Sequence, residues 1–93
     1  MPRYKIAHID QQGADLIIIP MDATFGAMTG SEQQKKIAEL QLRARSAGIV
    51  GTVVPIWQEK GRIMFIAPRN LHQFFTRMPS DFVETNLNEV LFW

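Results

Sequence analysis

Two stretches of this chain, about half its length apart, repeat one another in outline. Gln11-Gln12-Gly13-Ala14-Asp15-Leu16-Ile17-Ile18-Ile19-Pro20 is answered by Gln58-Glu59-Lys60-Gly61-Arg62-Ile63-Met64-Phe65-Ile66-Ala67-Pro68. Each is a polar, glycine-bearing turn followed by a short apolar run that ends on proline. Pro20 and Pro68 stand 48 positions apart, and Ser31 and Ser80, each near the start of a later element, stand 49 apart. A unit of this size cannot bury its own apolar face, so two of them are expected to pool their faces in one core. The chain of 93 residues then reads as a single domain, because separate cores need roughly 100 residues apiece. Its pseudo-repeats fall at about 3–48 and 49–93.

Each repeat reads as strand, strand, helix. Arg3 to Asp10 has a strand pattern, and Leu16 to Met21 is apolar on consecutive positions, which implies burial on both faces. Gly13 supplies the positive φ that the hairpin between them needs. Asp22 to Gly30 has no clear period beyond one turn that Asp22 can cap. Ser31, with Gln34 three residues on, predicts a helix start, and Ile37, Leu40, Ala44 and Ala47 form its apolar stripe up to a stop at Gly48. Glu39 and Arg43 are spaced to pair on its surface.

Ile49 to Trp57 and Arg62 to Ala67 read as the second hairpin, with Pro55 placing its first strand at an edge. A short helix from Asn70 to about Met78 follows. A last helix starts at Ser80 or Asp81, with Val83, Leu87, Val90 and Leu91 inward. The fold expected from this order is α+β: a duplicated ββα unit forming a four-stranded antiparallel sheet in the order 1-2-4-3. Two main helices and a short one lie on one face. The apolar central strands imply that the other face is also partly covered, by a short helix, by the Asp22–Gly30 loop or by a second subunit.

Composition narrows the function classes. There are no cysteines, which removes disulfides, thiolate nucleophiles and sulfur-rich zinc sites, and suits a reducing cytoplasm. The longest apolar run, Leu16 to Met21, is far short of the ~20 residues a membrane helix needs. Met1-Pro2-Arg3-Tyr4-Lys5 does not lead into a signal-peptide core. The expected setting is cytoplasmic, with no membrane partner. A net charge of +1 is lower than phosphate-neutralising proteins usually carry.

Candidate chemistry is sparse. His8 and Asp10 share a strand face and could form the start of a general base, but no nucleophile is tied to them. His72 is far from His8 in sequence, no metal-ligand spacing occurs, and no cofactor motif is present. Gly26 to Ser31 precedes a helix and could hold an anion, but it lacks a full phosphate-loop pattern. Trp57, Lys60, Arg62 and Arg69 interleave aromatic and basic groups, as single-stranded nucleic-acid sites do. Leu42 lies off the apolar stripe of the long helix, and Leu91, Phe92 and Trp93 end the chain on three large apolar side chains. Leu42 can mark a partner contact, and the tail is expected either to dock on the core or to be buried between subunits, so these four are the candidate interface residues.

Several phrases resemble those of small, functionally uncharacterised proteins carried on bacterial integrative conjugative elements and genomic islands. They are Pro20-Met21-Asp22-Ala23-Thr24-Phe25-Gly26, Glu39-Leu40-Gln41, Arg43-Ala44-Arg45-Ser46-Ala47-Gly48, Phe65-Ile66-Ala67-Pro68 and the terminal Trp93. The resemblance spans the chain and implies a bacterial accessory-gene context, with no assigned catalytic residue. The sequence therefore predicts a non-enzymatic binding or assembly module that self-associates as a homodimer or takes a protein partner. The alternatives are a single-stranded nucleic-acid binder using Trp57, Lys60, Arg62 and Arg69, and a small enzyme using His8 and Asp10.

Overall fold

A computed structural model describes residues 3–11, 13–77 and 82–92. The chain folds as β1 (Arg3–Gln11), β2 (Ala14–Pro20), α1 (Ala23–Gly26), α2 (Gly30–Ser46), β3 (Thr52–Glu59) and β4 (Arg62–Phe65). A 3-10 turn (Arg69–Leu71), α3 (His72–Arg77), α4 (Phe82–Thr85) and β5 (Glu89–Phe92) complete it. The class is α+β, with a five-stranded mixed sheet in the order β4-β3-β2-β1-β5.

That sheet corrects the expected four-stranded antiparallel order 1-2-4-3. Hairpins do join β1 to β2 and β3 to β4 antiparallel, but β2 and β3 pair in parallel, Ile18 opposite Val54. The cause is the connection between them. A helix of 17 residues spans about 25 Å, which carries the chain back along the sheet so that β3 starts at the same end as β2.

Pro55 was expected to mark an edge, yet β3 lies between β2 and β4. Its carbonyl accepts from Ile66 N–H on the β4 side (3.2 Å), so its missing donor also falls on that side. β4 ends at Phe65, one residue before the reciprocal bond would be needed. Proline at this position therefore shortens β4 without breaking the parallel pair.

The last expected helix is also corrected. Only Phe82–Thr85 is helical, and Glu89–Phe92 forms an edge strand on β1. Leu91 is buried in this strand while its neighbour Val90 is exposed. Asn88 joins the two: its Oδ1 accepts from His8 N–H and its Nδ2 donates to His8 O, both at 2.9 Å. Its amide thus replaces a stretch of backbone ladder beyond the strand. The expected start of this element at Ser80 or Asp81 lies outside the described residues.

Both faces of the sheet are covered from within the chain, so two-sided apolar strands do not call for a second subunit. On one face Ile6, Ile17, Ile19 and Val53 pack against Leu40 and Ala44 of α2. On the other, Ala7, Leu16, Ile18 and Val54 pack against Leu71, Phe75 and Val83. Ile17, Ile18 and Ile19 are fully buried, each contributing about 1.5–3 kcal/mol relative to exposure.

Thr29, not Ser31, caps α2. Its hydroxyl accepts from Glu32 N–H and the Glu32 carboxylate accepts from Thr29 N–H, both at 3.1 Å, which closes a capping box. Ala47 is exposed, so the buried stripe of the helix ends at Ala44. Thr29→Ala is expected to cost about 1 kcal/mol in urea denaturation, while Ser31→Ala stays within about 0.5 kcal/mol. Equal effects would contradict this cap.

Candidate functional site

At the carboxyl ends of the parallel strands β2 and β3 the chain forms a partly open cleft of 350 Å³. Pro20 and Met21 come from the end of β2, and Asp22 and Ala23 from the entry to α1. Ile56, Trp57 and Gln58 come from β3, with Ile63 and Val83 from β4 and α4. Met21 N–H donates to Ile56 O at 2.7 Å, which ties the two strand ends together under the cleft. In open sheets with helical crossovers, the carboxyl ends of parallel strands are where ligands bind, because the chain splays there to enter its helices.

Asp22 sits at the mouth with its orientation fixed. Its Oδ1 accepts from Thr24 N–H (3.0 Å) and Phe25 N–H (3.3 Å), capping the single turn of α1. Among the described residues it is the one charged side chain on the lining, and no lysine or arginine contributes. Phe25 is buried behind it and meets Trp57 edge-on, centroids 5.1 Å apart.

The alternative nucleic-acid reading would need Trp57 to offer a ring face to a base, but Trp57 is only 8% exposed, which leaves no free ring face. Its Nε1–H is buried and has no hydrogen-bond partner among the described residues. Such an orphan costs about 1–3 kcal/mol, and most native buried donors avoid it. Gly26 makes the arrangement geometrically possible: a Cβ there would lie 2.6 Å from Nε1. The other members of the basic group are exposed, but the structure does not gather them. Lys60 sits in the β3–β4 turn. Ile63 and Phe65 pack toward Leu71 and Phe75, so Arg62 points to the opposite face of the sheet from the turn that carries Arg69.

The remaining candidates have their own partners. Asp10 Oδ1 accepts from Gly13 N–H at 3.0 Å and closes the first hairpin, where Gly13 takes a φ of 82°. The His8 ring turns elsewhere: Nε2 lies 2.7 Å from Val50 O and therefore carries the proton, with Nδ1 3.8 Å from Glu89 Oε2. His72 Nε2 likewise donates to Ala67 O, at 2.9 Å, beside the Phe65 ring. Among the described residues no group of three His, Asp or Glu side chains could hold a metal ion. The amide end of α2 is occupied by its own capping box, with Glu32 as the acidic partner.

Leu42 is 63% exposed, whereas Leu91 is 1% exposed and belongs to the α2-side core. Phe92 pairs with Arg3 at the end of β5, and Trp93 lies outside the described residues. On α2, Lys36 Nζ donates to Glu39 at 3.0 Å and lies 5.6 Å from the centroid of the Tyr4 ring. Burial works against its charge, but the contacts with Glu39 and Tyr4 outweigh it and raise the ammonium above its ordinary value. No described helix is long and apolar enough to cross a membrane.

The cleft was not singled out from sequence, although Asp22 was read as a cap. The available signal was the order strand, helix, strand, which brings the ends of β2 and β3 side by side. No protein-family profile, curated protein or solved structure matches the chain.

Proposed function

We propose that this chain is a small non-enzymatic binding module whose recognition site is the cleft above β2 and β3. The observation that carries the reading is its construction. A hollow of mixed polar and apolar lining, at the low end of the roughly 300–1,000 Å³ range of ligand sites, is walled by an indole whose buried donor has no partner among the described residues. Retaining a costly orphan and a glycine shaped around it favours a site over plain packing. A binding role fits better than catalysis, because His8 and Asp10 are engaged with different partners and no nucleophile joins either. The bacterial accessory-gene setting rests on the sequence resemblance alone.

The test is a titration with small aromatic compounds followed by ¹⁵N and methyl NMR of the full chain. Shifts should concentrate on Met21, Ala23, Trp57 and Ile63. Shifts scattered over the surface, or none at millimolar compound, would remove this reading.

A further inference from the structure

We propose that the cleft selects an organic cation: an ammonium group borne on a compact apolar or aromatic body. The inference rests on the reading of the cleft as the binding site, and adds the chemical class of its occupant. Pro20, Met21, Ile56, Ile63 and Val83 line the cleft with apolar surface, and Trp57 adds an aromatic wall. Such walls favour a body of one ring or a short branched chain. Among the described residues the charge on the lining is that of Asp22 alone. An anion would meet this carboxylate with no base to offset it, and its desolvation would go uncompensated.

Asp22 is suited to hold a cation. Two backbone N–H groups bond the same oxygen, Oδ1, which fixes the carboxylate plane while leaving Oδ2 directions to a ligand. An ammonium placed there lies beside the wall that Trp57 and Pro20 contribute to the cleft. Gln58, at the exposed end of β3, adds an amide oxygen able to accept from a second ammonium N–H.

The capping role of Asp22 makes a sharp test available. Asparagine caps helices as well as aspartate does, so Asp22→Asn removes the charge and keeps the turn. The probes are benzylamine, benzyl alcohol and benzoate, titrated into the full-length chain at low salt. The readout is the Trp57 indole N–H resonance, assigned by comparison with Trp93→Phe. Benzylamine should bind about fivefold more tightly than benzyl alcohol, benzoate more weakly than either, and the amine's advantage should shrink as salt is raised. Asp22→Asn should erase that advantage with its melting temperature unchanged. Equal binding of amine and alcohol in the native chain would overturn the cation assignment and leave the cleft standing as a site. Failure of all three probes to move Trp57 would remove both. An amine advantage that survives Asp22→Asn in a folded chain would also overturn the assignment.

Discussion

Replacing Phe25 with alanine is expected to lower the unfolding free energy by about 3–5 kcal/mol, the usual cost of emptying a buried aromatic site. Phe25 is 1% exposed, although it belongs to a helix of four residues. Its ring supports Trp57 edge-on, and its carbonyl accepts from Met28 N–H and from Gln33 Nε2. Phe25 therefore ties α1 to the carboxyl end of β3 through its ring and to the start of α2 through its carbonyl. So short a helix has little stability of its own, so its placement depends on this ring. Urea denaturation measures the loss. A change below about 1 kcal/mol would mean that α1 is not packed as described.

Gly26→Ala should cost about 1–3 kcal/mol, the range for forcing extra volume into a filled site. The added methyl would meet Trp57 Nε1 at 2.6 Å and Cδ1 at 2.7 Å. Both belong to a buried ring backed by Phe25, so the clash is not relieved by swinging out a flexible tip. The pair is expected to be coupled. In a Trp57→Leu background the same alanine should be tolerated much better, since the offending atoms are gone. A double-mutant cycle reads this directly, and a penalty that stays the same in both backgrounds would show that the indole is not its cause. Binding of aromatic probes in the cleft should weaken together with the stability.

Much of the architecture was legible because it is written in local pattern. Consecutive apolar residues at Leu16 to Ile19 announced a strand buried on both sides, and the two glycine-bearing turns announced antiparallel hairpins. The spacing of Ile37, Leu40 and Ala44 announced α2. Long-range pairing was harder to read. Pro55 suggested an edge because a missing donor is usually tolerated only there, but whether the missing donor costs a ladder bond depends on where β4 stops. Glu89 to Phe92 looked helical when judged by spacing alone. Its strand form depends on the open side of β1 and on Asn88, contacts some 80 positions away in sequence.

The cleft was hidden for the same reason. Trp57 beside a hairpin turn and a basic stretch suggested exposure. Yet it continues a run, from Val53 onward, in which all five residues are buried, and Gly26 was needed to show what covers it. For Leu91, near the chain end, core and interface were both open from sequence, and its partners in the core include residues of β1 and α2.

The amide of Asn88 has a further consequence for how the sheet is assembled. In this four-residue edge strand the burial of Leu91 resists a slip of one position, which would turn Leu91 outward, but does not by itself exclude a slip of two. An amide that must give one hydrogen and receive another from the same residue, His8, can be satisfied at only one setting. It acts as a peg that selects the alignment before packing improves it. An acid at this position could not donate and an aliphatic residue could do neither, so the alignment of β5 is a property of side-chain chemistry as much as of the strand itself.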